Sequence, residues 1–142
     1  DAQESRGLGD VYKRQTYRRA DCLRDWGRSA DALRNYQQAL VIKPKDYWSW
    51  YQQGQIFQTI GRFNQAIACY QKALTINPED DYAWYAQSLC QMAAGHWELA
   101  VNCLEKAIAL FPDTYTDLAM TEPLFVSLRQ YPRFKLLMTE YL

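Results

Sequence analysis

Four residue columns recur every 34 positions along this chain. Gly27, Gly61 and Gly95 form the first, Ala32, Ala66 and Ala100 the second, Ala39, Ala73 and Ala107 the third, and Pro44, Pro78 and Pro112 the fourth. Three copies without an insertion restrict the fold to an array of small units. A unit of that size cannot bury a core alone, so neighbours must stack. The two alanine columns lie seven residues apart, about two helical turns, and therefore share one face. Small residues there let two helices approach closely, and Tyr36, Tyr70 and Leu104 add bulk to the same stripe. The glycines follow helical runs and predict a left-handed residue at each turn. The prolines cannot continue a helix and mark the exit of the second one. Asp46 and Asp80, with Thr114 in the third linker, stand where an N-cap is needed.

Each unit therefore reads as a helical hairpin in an all-α fold. First helices are expected near 16–26, 47–60 and 81–94, and second helices near 29–42, 63–76 and 97–110. The three repeats span about 16–46, 47–80 and 81–114. After Pro112 the period fails. Residues 114–120 read as a truncated first helix, and Pro123 and Pro132 each suit a first helical position. The segments 123–130 and 132–141 carry Leu124, Phe125, Leu128, Phe134, Leu137, Met138 and Tyr141. Residues 115–142 are thus expected to cap the apolar end of the last hairpin, in preference to docking on a partner.

The residues within the repeats carry a resemblance. The copy from Tyr47 to Asp80 holds Trp50, Gly54, Phe57, Gly61, Phe63, Ala66, Tyr70, Ala73 and Pro78. The next keeps Trp84, Gly95, Trp97, Ala100, Ala107 and Pro112, with Ser88 for Gly and Gln91 for the aromatic. On these positions the chain resembles the tetratricopeptide-repeat family. The first copy follows the pattern from Gly27 onward; upstream it has Thr16 for the usual Trp, and Arg19 and Ala20 for Leu and Gly. The stretch Leu128–Phe134 is also similar to the closing segment of many bacterial members. The resemblance implies a right-handed superhelical solenoid of antiparallel hairpins. It further implies a concave groove, lined by first helices, that takes a peptide segment of a partner.

Mapping the family's groove columns onto this sequence implies Trp48, Tyr51, Gln55, Gln58 and Thr59 in the second repeat. In the third it implies Tyr82, Tyr85, Leu89, Met92 and Ala93, and in the first Tyr17, Asp21, Arg24 and Asp25. Tyr51 and Tyr85 are the expected anchors, because tyrosine offers a large ring with a polar tip. Trp50, Trp84, Phe63 and Trp97 occupy packing columns and are expected in the core. Chaperone-binding relatives clamp a C-terminal carboxylate with Lys, Asn and Arg. The matching positions here are Tyr17, Asp21, Gln52, Tyr82 and Ala86, which include no cation. Acidic chaperone tails are therefore not expected as ligands.

Charge and reactive residues narrow the function classes. Sixteen Lys and Arg balance sixteen Asp and Glu, so the chain lacks the basic footprint of a nucleic-acid binder. No apolar run approaches the ~20 residues that span a bilayer. Cys69 and Cys103 are 34 apart and Cys22 and Cys90 are 68 apart, which reads as small buried residues at equivalent sites. Four cysteines without close pairs fit a reducing, cytoplasmic setting. With His96 as the sole histidine there is no zinc ligand set. There is no GxSxG elbow and no phosphate-cradling glycine loop; a Cys90–His96 pair is the weaker, nucleophilic reading. No catalytic residue, cofactor or metal is expected. The partner expected is a protein or peptide, and the chain itself a monomer that could dimerise artificially through an uncapped N-terminal hairpin.

Residues 1–15 read DAQESRGLGDVYKRQ, and 10–15 back-translate to GAT GTG TAT AAG AGA CAG. That string resembles a transposon end used in sequencing libraries, so this segment is expected to be translated adapter. The leading function is an interaction scaffold, not an enzyme. The alternatives are the substrate-holding arm of a larger glycosyltransferase, kinase or peptidase, and an assembly factor for a membrane complex.

Overall fold

The structure, a computed structural model, describes residues 26–141. The expected helix at 16–26, and Tyr17, Asp21, Cys22, Arg24 and Asp25 with it, fall outside the described residues, apart from Trp26. Seven α-helices and one 3-10 helix follow: α1 (Trp26–Ile42), α2 (Tyr47–Thr59), α3 (Phe63–Ile76), α4 (Asp81–Ala93), α5 (Trp97–Leu110), α6 (Pro112–Thr121), the 3-10 helix Pro123–Gln130, and α7 (Pro132–Tyr141). Helix α2 packs on α3 and α4 on α5, while α3 packs on α4 to join the two hairpins. The result is an all-α solenoid. Ala66, Ala73, Ala100 and Ala107 are fully buried at the helix crossings, as their spacing requires.

The glycine column does what is expected at two of its three positions. Gly61 and Gly95 have φ of +84° and +83°, a region closed to most other residues. Around them the Arg62 N–H donates to the Phe57 carbonyl and the His96 N–H to the Gln91 carbonyl, both at 2.8 Å. The Gly61 and Gly95 N–H groups donate to Gln58 (3.1 Å) and Met92 (3.0 Å). This pair of bonds is the Schellman closure. Gly27 is different. Helix α1 is already running at Trp26, so Gly27 lies within its first turn and is not left-handed.

The third linker also departs from expectation. Residues 43–46 and 77–80 separate helices, with Asp46 and Asp80 as N-caps. Pro112 instead opens α6, and Phe111 alone parts it from α5. Thr114 is therefore inside the helix. In the second linker the Asn77 side chain accepts from the Glu79 N–H at 3.3 Å and its carbonyl from the Asp80 N–H at 3.4 Å. In the third linker Pro112 takes the first position of a helix instead, a place proline suits well.

Helix α6 ends because of a column. Glu122 stands 68 residues after Gly54 and 34 after Ser88. A Cβ on Gly54 would lie 2.8 Å from Tyr70 Cε1, and Ser88 is fully buried, so the column admits only small residues. Glu122 leaves the helix, and its Oε1 caps the Leu124 N–H at 3.1 Å. The 3-10 helix then lies against α4 and α7 against α5. Phe125, Leu128, Phe134, Leu137 and Met138 are buried there, so this segment is part of the core. Arg133 clips α7 to α5 by pairing with Glu98 at 2.6 Å and Glu105 at 3.6 Å. Tyr131 also hydrogen-bonds Glu98, and together these contacts hold the Glu98 carboxyl below its ordinary range.

Cys69, Cys90 and Cys103 are free and buried. Burial pushes the Cys69 thiol up to about 11 and the Cys90 and Cys103 thiols up to about 12, with Cys103 adding to the effect on Cys90. Above pH 9 the unfolded chain loses thiol protons that the native state keeps, so stability falls as pH rises toward those values. In a Cys22→Ser background the native protein should resist thiol labelling at pH 8 and label fully in urea. Its urea midpoint should drop between pH 8 and 10.5 by more than that of a variant with Cys90 and Cys103 changed to Ala. Equal drops would refute the assignment.

Candidate protein-binding site

The groove columns of the second repeat lie along α2. Trp48 is 55% exposed and is the one exposed side chain of that helix. Its ring stacks on Tyr51 at 6.0 Å and 18°. Tyr47 stacks on the same ring at 5.8 Å, and Tyr51 continues to Tyr70 (6.1 Å) and across to Tyr82 (6.4 Å). An aromatic ladder thus runs from the surface into the junction of two repeats. Gln52, Ile56 and Ile60 are half-buried, the two isoleucines packing partly against the core, and they follow Trp48 at intervals of four, so the four form one stripe.

The other expected groove residues lie deeper. Tyr51 is 5% exposed and Tyr85 2%, so both anchors are core residues. The cover over Tyr85 is the C-terminal segment: its ring lies 5.3 Å from Tyr115 and meets Phe125 edge-on at 6.1 Å. Tyr115 is itself buried. Its hydroxyl donates to Asp81 Oδ2 at 2.5 Å, and burial plus that bond push its titration up. Gln55 Nε2 donates to the Tyr70 hydroxyl at 3.0 Å, and that hydroxyl donates to Gln58 Oε1 at 2.6 Å. These amides hold a core ring. One repeat later the same three positions read Leu89, Met92 and Leu104, all buried; without a hydroxyl there is no use for amides. Thr59 is buried and donates to the Gln55 carbonyl, Tyr82 is buried, and Ala93 is exposed.

Of the tryptophans expected in the core, Trp50 and Trp84 pack at its edge and Trp97 does not. Trp50 and Trp84 are half-buried, and their indole N–H groups donate to the Pro44 and Pro78 carbonyls at 3.0 and 2.8 Å. Each indole ties the preceding linker to its helix. Phe63 is half-buried, and Trp97, at the start of α5, is exposed.

The Cys90–His96 pair is not assembled for catalysis. Cys90 is fully buried with its thiol held protonated, and His96 Nδ1 lies 2.9 Å from Gln91 Oε1. Among the described residues no group of three or more His, Cys, Asp or Glu could hold a metal ion, and no helix is long and apolar enough to cross a membrane.

The family model of the tetratricopeptide repeat matches residues 47–80 and again 81–114. A protein prenyltransferase alpha subunit repeat matches residues 29–60, which run from α1 through the first linker to the end of α2. No curated protein matches the chain. The two contiguous 34-residue matches fall on the hairpins α2–α3 and α4–α5, and on that sequence and geometry the chain belongs to the tetratricopeptide-repeat family.

Proposed function

We propose that this protein is a non-catalytic scaffold that holds a peptide segment of a partner along the exposed stripe of α2, with Trp48 as the anchor. Repeats of this family are in general protein-interaction scaffolds, and the finer statement rests on one observation. Trp48 is about half exposed while Tyr51, itself stacked on Tyr47, holds its ring in place. An exposed, preorganised tryptophan contributes little to folding and suits a binding hot spot. On this reading Tyr51, Gln55 and Gln58 set the floor of the site from beneath, and Tyr82, Tyr85, Leu89 and Met92 brace it from the next repeat. A cytoplasmic setting suits the three free, buried thiols.

Panning a displayed peptide library on the immobilised protein tests this. Enriched peptides should lose at least about tenfold in affinity for Trp48→Ala, the loss expected of a hot spot. The melting temperature of that variant should stay within roughly 2 °C of the parent, as for surface substitutions. Peptides that bind the variant as well as the parent would remove Trp48 from the site.

The prenyltransferase alpha subunit likeness over 29–60 favours a second reading, in which the repeats serve an enzyme. Sequencing the gene upstream of Thr16 separates the two. A catalytic domain in frame supports the arm of an enzyme, and further 34-residue repeats support the free scaffold.

A further inference from the structure

We propose that the partner segment held on α2 is an α-helix with a small residue at its centre, seated across α1 and α2 as α2 itself is seated across α3 and α4. This rests on the α2 stripe being the binding site and adds the class of segment it takes. Four positions of α1 carry the proposal. Ala32, Tyr36, Ala39 and Leu40 recur 34 residues later as the same four residues, Ala66, Tyr70, Ala73 and Leu74. On α3 the two alanines and the tyrosine are fully buried and Leu74 is 5% exposed. On α1 all four are only half-buried. The α2 stripe shows the same deficit. Trp48, Gln52 and Ile56 stand one repeat before Tyr82, Ala86 and Cys90, which are all buried. In the later repeat α2 meets both sets. Its Gly54 passes so close to Tyr70 that a Cβ there would stand 2.8 Å from the ring, and its Tyr51 reaches Tyr82 at 6.4 Å. The α1–α2 face is thus the same seat one repeat earlier, continuous with the interface that α2 makes.

The seat dictates the occupant. Its seven positions on α1 and α2 carry no charge, so a charge on the partner's inner face would be buried without a counterion. Both sides of the seat are helix faces and offer no backbone edge. An extended segment would therefore lay its own N–H and C=O groups against apolar side chains without partners, which is costly. A helix satisfies those groups within itself. Tyr36 then requires a small residue over its ring, as Tyr70 requires Gly54. Trp48 requires a ring three residues earlier on the partner, where α2 has Tyr51. Residues three apart share one helix face, so an aromatic followed three positions later by a small residue is the partner's motif. The chain carries that spacing once more in Tyr17 and Ala20, which makes its own upstream segment the rival occupant.

The test titrates the full chain into a dye-labelled, capped and hydrocarbon-stapled peptide with the sequence of α2, Tyr47–Thr59, and reads fluorescence anisotropy. The peptide should bind saturably. Gly54→Leu in the peptide should weaken binding about tenfold, the effect of overpacking one tight contact, and an unstapled Gly54→Pro peptide should not bind. Ser88 and Leu104 stand in the third repeat where the second has Gly54 and Tyr70. In a Tyr36→Leu protein the Gly54→Ser peptide should therefore bind as well as the glycine one. The proposal is overturned if the Gly54→Leu or Gly54→Pro peptide binds the parent protein as tightly as the α2 sequence. If Trp48→Ala in the protein abolishes binding while Gly54→Leu in the peptide has no effect, the α2 stripe stays a site and the helix is removed from it. No binding, or binding only after Ala20→Trp in the protein, also overturns the proposal; the latter gives the seat to the chain's own upstream segment.

Discussion

Tyr85→Ala should destabilise the fold by about 3–5 kcal/mol, the range for removing a buried aromatic ring. At typical unfolding entropies that lowers the melting temperature by roughly 10–20 °C. Trp84→Ala, one residue earlier, should do about half as much. The ordering is not what residue size predicts, since tryptophan is larger. It follows from position: Tyr85 is 2% exposed and packs on Tyr115 and Phe125, so its loss opens a cavity between α4 and the C-terminal segment. Trp84 is only partly buried, at the edge of the core, and gives up part of its area and one bond to the Pro78 carbonyl. Tyr85→Phe, which keeps the ring, should stay close to the parent. The comparison needs only urea and thermal unfolding followed by circular dichroism. If Trp84→Ala melts below Tyr85→Ala, the inner face of α4 is not sealed by the tail as described.

The periodicity made the hairpins legible, because proline and left-handed glycine act on the backbone at the residue where they stand. The expected limits of α3 and α5 coincide with the observed ones, and those of α2 and α4 differ by one residue. The period was less informative about cover. It says that Tyr51 and Tyr85 are equivalent, but what lies over Tyr85 comes from residues 112–141, where no period exists. Gln55 and Gln58 read as groove contacts because they fall on the family's groove columns. Their partner, Tyr70, lies on the next helix, and the signal for it was a concerted change. When Tyr70 becomes Leu104, Gln55 and Gln58 become Leu89 and Met92. Trp50 and Trp84 offered a similar sign, each standing six residues after the proline whose carbonyl it binds. Pro112 misled because proline both ends and begins helices, and its position alone does not say which.

That concerted change makes the second large prediction. Gly54→Ser should cost about 1–3 kcal/mol, as overpacking does, although serine is the better helix former. The reason is that a Cβ there lies 2.8 and 2.9 Å from two ring carbons of Tyr70. That ring is fully buried and held by Gln55 and Gln58, so it cannot swing away. Tyr70→Leu alone should cost more, about 2–5 kcal/mol, by leaving a cavity and stripping two amides of their partner. Combining Gly54→Ser, Tyr70→Leu, Gln55→Leu and Gln58→Met writes the third repeat's set into the second. The combination should be more stable than the sum of its parts by at least about 2 kcal/mol, since residues sharing one packing site are coupled rather than additive. Urea midpoints of the four single variants and the quadruple one decide the matter. An additive result would mean that the Gly54, Tyr70 and amide columns are not packed as one unit, and that the difference between the repeats has another cause.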